Sequence, residues 1–212
     1  MRKLPVYILL DTSGSMYGEP IEAVKNGLQV LVNTLRQDPY ALETAHLSVI
    51  TFDSNAKQVV PLTELSAFQQ PALQASGCTA LGEALSLLSK CADNEVVKTT
   101  AEKKGDWKPL VFIMTDGEPT DDMRKGLEEF KKRKWGMVVA CAAGAGANTN
   151  TLKQITESVV SLDTADSATI KQFFKWVSAS VSAGSMRVED GMGEPGSIGE
   201  LPPPPPEVNI VI

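Results

Sequence analysis

The chain has 212 residues, of which 42% are hydrophobic and 22% charged, close to soluble-globular averages; that is enough for one sizeable domain with an appendage, not for two full domains. No apolar run approaches the roughly 18 residues that a membrane span needs. The net charge of −6 is uneven, with −4 on residues 185–212 and −2 on residues 1–184, and a nearly neutral body argues against nucleic-acid binding through bulk charge.

Arg2 and Lys3 followed by Leu4 to Leu10 imitate the start of a signal peptide. The apolar run is short, contains Pro5 and stops at Asp11 without a small-residue cleavage site, so it reads as a buried first strand centred on Val6–Leu10. After Pro20, the positions Ile21, Val24, Leu28, Leu31, Val32 and Leu35 keep a helical period. Leu47–Phe52 is a strand candidate with partial alternation, and Lys57–Pro61 is a short polar strand suited to an edge. Leu81, Ala84, Leu85 and Leu88 mark a second helix, and Leu110–Met114 is a second strand buried on both faces. A third helix is expected over 121–134. Its acids lie early and its bases late, which complements the helix dipole and makes Lys131–Lys134 a solvated helix end. Met137–Ala142 is another buried strand, and Gly144–Thr149 is a structural loop because Thr149 stands where a dinucleotide fingerprint needs its third glycine. Ile170, Phe173, Phe174, Val177 and Val181 form the last helix, with Asp166 near its start. Strands alternating with helices predict a doubly wound α/β domain with a mostly parallel sheet and helices on both faces.

The domain is expected over residues 1–183 and a Gly/Pro-rich acidic tail over 184–212. From Ser185 onward there are four glycines and six prolines in 28 residues, a composition that predicts no core of its own. Pro202–Pro206 favour a stiff spacer, and Val208–Ile212 is a strand-like ending that either adds to a sheet edge or stays unattached. Cys78, Cys91 and Cys141 are odd in number and far apart, which fits reduced thiols and a cytoplasmic location.

The chemistry concentrates after buried strands. Asp11-Thr12-Ser13-Gly14-Ser15 follows the first, Thr115-Asp116-Gly117 follows the strand at 110–114, and Gly77-Cys78-Thr79 leads into a helix. In an open parallel sheet the strands' carboxyl ends share one edge, where ligands bind. Asp11, Ser13, Ser15, Thr79 and Asp116 would bring two carboxylates and three hydroxyls together there. Such hard oxygen donors select Mg²⁺, with Mn²⁺ or Ca²⁺ as alternatives, over zinc or copper. A third carboxylate or water would complete the octahedron. Taken singly, each loop also reads as an ordinary turn or cap. Asp53, at a strand end, reads equally as a supporting hydrogen-bonding group or an Asx turn.

These residues resemble the metal-ion-dependent adhesion site of von Willebrand factor type A domains, over roughly residues 4–183. The short form, with Asp-Thr-Ser-Gly-Ser-Met, Thr51-Phe52-Asp53, Gly77-Cys78-Thr79 and Met114–Asp121, is similar to the bacterial TerY proteins of tellurium-resistance clusters. The resemblance implies a Rossmann-like sheet with Asp11, Ser13 and Ser15 as metal ligands and Thr79 and Asp116 as direct or water-mediated ones. It also implies a non-catalytic site that binds a partner protein's Asp or Glu through the metal, with a kinase-like protein or a protein phosphatase as partner classes. Two enzyme readings compete. An aspartic protease fails because neither loop has its glycine in place and the α/β pattern is wrong. A Mg²⁺-dependent phosphohydrolase shares the carboxylates at a sheet edge but lacks a base close in sequence; His46 falls at the start of a strand, at the other end.

Overall fold

The apolar run after Lys3 becomes β1 (Leu4–Asp11), buried at every residue. Successive side chains of a strand point to opposite faces, so Leu4, Val6, Ile8 and Leu10 enter one core while Tyr7 and Leu9 enter another. The computed structural model describes residues 2–211. In chain order the remaining elements are α1 (Glu19–Arg36), α2 (Pro39–Thr44), β2 (Ala45–Phe52), β3 (Ala56–Glu64), α3 (Leu81–Glu95), β4 (Leu110–Thr115), α4 (Met123–Lys131), β5 (Val138–Ala143), α5 (Thr149–Lys153), β6 (Val159–Leu162), α6 (Ser167–Glu189) and β7 (Asn209–Ile210).

The seven strands form one sheet in the order β3-β2-β1-β4-β5-β6-β7. β2, β1, β4, β5 and β6 run parallel, and β3 and β7 are antiparallel edges. The core on the Ile8 side takes residues from α1, α2 and α6, and the core on the Tyr7 side takes residues from α3, α4 and α5. This is the doubly wound, mostly parallel arrangement expected. Its topology also places the site: the chain leaves β1 for β2 on one side and returns as β4 on the other, so the loops after β1 and β4 part and leave a crevice at their carboxyl ends.

The polar strand is an edge, as expected, and longer than its apolar content suggested because it pairs along β2. α4 stops at Lys131, short of Lys134; Trp135 then turns back, stacking on Phe130 with ring centroids 4.9 Å apart. Two short helices lacked a readable period. α2 is started by Asp38, which accepts hydrogen bonds from the amides of Tyr40 and Ala41, and α5 by Asn148, which does the same for Asn150 and Thr151.

The C-terminal segment differs from what its composition predicts. α6 continues through position 184 to Glu189, and beyond it Leu201 and Val208 are buried in the Ile8-side core. Trp176 Nε1 donates to the Pro202 carbonyl at 2.8 Å, Arg187 pairs with Glu200 at 2.6 Å, and Asn209 and Ile210 pair with Ser161 and Val160 as β7. A composition rule asks whether a segment can build a core by itself. Here two apolar residues land on a core that already exists, so the tail is packed while remaining rich in Gly and Pro. Met1 and Ile212, at the ends of the expected domain and strand-like ending, lie outside the described residues.

Candidate metal-ion site

Asp11 closes β1, and its side chain is buried, 1% exposed. Its two oxygens are held separately: Oδ1 accepts from the Ser13 amide at 2.8 Å, and Oδ2 accepts from the Thr115 hydroxyl at 2.5 Å. The loop then makes a single 3₁₀ turn (Gly14–Met16), anchored inward by Met16, which is fully buried. That turn projects Ser13 and Ser15 together, with their hydroxyls 3.0 Å apart, and Ser15 Oγ donates to Asp116 Oδ1 at 2.7 Å. One hydrogen-bonded string, Ser13–Ser15–Asp116, thus links the loop after β1 to the loop after β4.

Thr79 arrives from a third loop. Gly77 has φ +75°, a left-handed conformation that favours glycine, and its carbonyl accepts from the Gly14 amide at 3.0 Å, tying this loop to the first. Thr79 is clamped by Thr120: the Thr79 amide donates to Thr120 Oγ1 at 3.0 Å, and the Thr120 amide donates to the Thr79 carbonyl at 2.9 Å. Its side chain is not the cap of α3. The first amides of that helix, Gly82 and Glu83, donate instead to the carboxylate of Asp121 at 3.1 and 2.8 Å, which leaves the Thr79 hydroxyl uncommitted to the helix. A Cβ at Gly117 would stand 3.9 Å from both Ser15 Oγ and Thr79 Oγ1, so all three loops meet around this glycine. The close seat of α4 on α3 keeps Asp121 in reach: a Cβ at Gly126 would come 2.1 Å from the Gly82 carbonyl.

The electrostatics leave the two acids without a counter-charge among the described residues. Burial pushes the Asp11 carboxyl above the ordinary aspartate range, and the charge of Asp116 adds to that shift; burial raises Asp116 as well. Among the described residues neither carboxylate forms an ion pair with a Lys or Arg. Two like charges taken from water without a counter-charge are costly, and a dication among five oxygens is a fitting remedy. Exposure is graded: Asp11, Ser13 and Thr79 are buried, Asp116 is half-buried and Ser15 is exposed. The cluster therefore opens toward solvent on the Ser15 and Asp116 side.

All five residues picked out by sequence are brought to this edge. Asp53 is not among them: its Oδ1 accepts from the Asn55 amide in an Asx turn, while its carbonyl accepts from Ala80 at 2.8 Å and steadies the Thr79 loop. His46 sits at the amino end of β2, with Nδ1 3.2 Å from the Thr44 carbonyl. Three supporting residues, Thr115, Thr120 and Asp121, lie in the Met114–Asp121 stretch that carries the resemblance but are not read from the sequence as holding the site together. Each acts across about 40 or more residues of sequence.

Residues 6–176 match the von Willebrand factor type A domain, and the chain belongs to that family. It is 35% identical over 124 residues to the uncharacterized protein sll0103 of Synechocystis, an alignment covering 55% of this chain and 26% of that protein. Among solved structures it is similar to a von Willebrand factor type A protein from Catenulispora acidiphila, with a TM-score of 0.63 and 18% identity over 86% of this chain and 43% of that one. It is also similar to the mussel byssus proximal thread matrix protein 1, described with a zinc-occupied MIDAS motif, at TM-score 0.61 and 18% identity over 84% and 48% of the two chains. The pilus adhesin SpaC of Lactobacillus rhamnosus GG gives a TM-score of 0.67 at 14% identity, over 86% and 31%. The chain spans about a quarter of the Synechocystis relative and less than half of each of these structures. At these identities the solved structures establish the fold. Domains of this family generally serve as interaction modules, and some carry a metal at a MIDAS. Among the described residues no helix is long and apolar enough to cross a membrane.

Proposed function

We propose that the chain is a non-catalytic, metal-dependent protein-interaction module. Asp11, Ser13, Ser15, Thr79 and Asp116 hold a divalent cation, Mg²⁺ by donor chemistry with Mn²⁺ or Ca²⁺ as substitutes. When bound, the ion supplies an electrophilic position that an Asp or Glu of a partner protein can occupy. The observation that carries this reading is the pair of acids, Asp11 buried and Asp116 half-buried, with no basic partner but with serine hydroxyls strung between them. Asp11 and Thr115 fix the inner wall, the Thr79–Thr120 clamp fixes the third loop, and the exposed Ser15 side leaves room for the incoming carboxylate. Without the cation the same two acids repel that carboxylate, so partner binding follows the metal.

The resemblance to TerY proteins supports a cytoplasmic role in tellurium or stress resistance, with a kinase-like protein or a protein phosphatase as partner. The interaction module corresponds to the expected domain of residues 1–183 extended to the end of α6 at Glu189, with the segment beyond it as an accessory. Zinc in the mussel protein's MIDAS makes zinc a necessary arm of any metal titration. The phosphohydrolase alternative gains nothing from the geometry, because His46, the one histidine of the chain, lies at the other end of β2.

The test is capture of binding proteins from the host extract by immobilised wild type and Asp11→Ala, each in Mg²⁺ or EDTA. Capture by wild type in Mg²⁺ alone is expected. Equal capture in all four conditions would contradict the reading, as would Mg²⁺-dependent phosphate release from simple phosphoesters that Asp11→Ala loses.

A further inference from the structure

A second charged feature lies at the opposite end of α3 from Thr79. α3 starts at Leu81 beside the site, and at about 1.5 Å per residue Lys90 lies about 14 Å further along its axis. There the ends of α3 and α4 enclose an open pocket of ≈ 540 Å³, walled by Lys90, Lys98, Lys132, Arg133 and Lys134 together with Asp93 and Glu129.

The charge count separates this pocket from an ordinary basic helix end. Five cations face two carboxylates, and the carboxyl ends of two helices add only about −0.5 each. The balance is about +2, in a chain whose net charge is −6. Dipole complementation accounts for one or two bases per helix and leaves the rest unexplained. Two of the cations are committed: Arg133 binds Asp93 through Nη1 and donates to the Ala92 carbonyl from Nη2 at 2.7 Å, and Lys98 pairs with the same Asp93 at 3.2 Å. Lys90, Lys132 and Lys134 are exposed and form no ion pair among the described residues.

The pocket wall also holds unmet hydrogen-bonding capacity. Glu129 Oε2 and Arg133 Nε are both buried without a partner, opposite in charge and one helical turn apart in sequence. Pairing of Glu129 with Arg133 would satisfy both atoms and, with Asp93 already held by Arg133 and Lys98, leave the three free lysines unopposed.

We propose that this pocket is a second binding site, separate from the metal-ion site, for a phosphate group held by Lys90, Lys132 and Lys134. A phosphate dianion matches the residual charge of about +2 and offers three acceptor oxygens to three ammonium groups, whereas a carboxylate would leave half the charge unmet. The group comes either from a free anion such as pyrophosphate or from a phosphorylated side chain of a partner protein.

Calorimetry on the full chain in EDTA, at constant ionic strength, tests this without the metal-ion site taking part. The probes are inorganic pyrophosphate, a phosphoserine peptide, and the same peptide with glutamate in place of phosphoserine. Lys90→Ala combined with Lys132→Ala is expected to weaken phosphate binding about tenfold or more. Lys171→Ala with Lys175→Ala, which removes the same charge from the exposed side of α6, should change it less than about twofold. Binding of the phosphopeptide but not its glutamate counterpart supports the proposal with a protein source, and binding of pyrophosphate alone supports it with a free anion. The proposal is overturned if neither phosphate probe binds more tightly than about 1 mM, if the glutamate peptide binds as well as the phosphopeptide, or if both double variants weaken binding equally.

Discussion

Two acidic centres are built against this sheet, Asp11 with Asp116 at its carboxyl edge and Glu95 beside the middle of β1, and they are satisfied in different ways. Glu95 ends α3, where the helix dipole disfavours a carboxylate. It compensates by accepting from the Tyr7 hydroxyl at 2.8 Å, Gln58 Nε2 at 2.9 and 3.0 Å, and the Leu62 amide at 3.2 Å. One charge meets several neutral donors and fastens β1, β3 and α3 together. Burial, reinforced by this hydrogen bond, pushes the Tyr7 hydroxyl far above its ordinary pKa, so it remains a donor. Asp11, at the end of β1, also has two good donors, yet it faces a second acid, and the neighbouring Ser15 hydroxyl is open to solvent. The first arrangement is complete as it stands; the second is short of a positive charge. An acid surrounded by donors is a structural fastener, while a pair of acids with hydroxyls between them is the arrangement that the proposed cation would complete.

The contrast predicts opposite mutational signatures. Asp11→Ala should lower Mg²⁺ affinity by at least about 100-fold, or 2.7 kcal/mol, and should abolish any rise in melting temperature on adding Mg²⁺, read by calorimetry and thermal denaturation. Glu95→Ala should do the reverse. Leaving the buried Tyr7 hydroxyl without its acceptor should cost about 2 kcal/mol of folding stability in urea denaturation, with Mg²⁺ affinity unchanged. If Glu95→Ala instead altered metal affinity, the two centres would be coupled and the comparison would fail. Thr115→Val removes the donor to Asp11 Oδ2 with little change of shape, and about a tenfold loss of Mg²⁺ affinity is expected. A variant that bound Mg²⁺ as wild type does would show that Asp11 needs no positioning from β4.

The smallest effect concerns the C-terminal segment, which belongs to neither centre. Val208→Ala should destabilise the chain by about 1 kcal/mol, measured in urea, and should leave metal affinity alone. No change in stability would mean that the segment's burial contributes nothing to the fold.

What could be read from sequence follows from how far each interaction reaches along the chain. The buried strands and long helices are contiguous and periodic, so β1, β2, β4, β5, α1, α3, α4 and α6 were legible with boundaries off by a few residues. The convergence of Asp11, Ser13, Ser15, Thr79 and Asp116 was legible because each sits immediately after a strand or before a helix, where topology alone gathers it. Thr115, Thr120 and Asp121 act on partners about 40 or 100 residues away, and a lone Thr or Asp in a loop carries no local mark of such a role. Four-residue β6 and the short helices α2 and α5 are too brief to show a period. The tail was legible in part: one reading of its strand-like ending, addition to a sheet edge, is what β7 does on β6. Composition, however, describes a segment in isolation and hid that Leu201 and Val208 borrow the core laid down by α6 and the sheet.

The central claim is that the loops after β1 and β4, with Thr79, form a receptor for one divalent cation. Its most direct test is isothermal titration of the metal-free chain with Mg²⁺, with Mn²⁺, Ca²⁺ and Zn²⁺ in parallel. The account predicts one bound dication per wild-type chain and none on Asp11→Ala at the same concentrations. If wild type takes up none of the four below about 10 mM, or Asp11→Ala takes them up equally, the cluster is a hydrogen-bonded turn and not a metal-ion site.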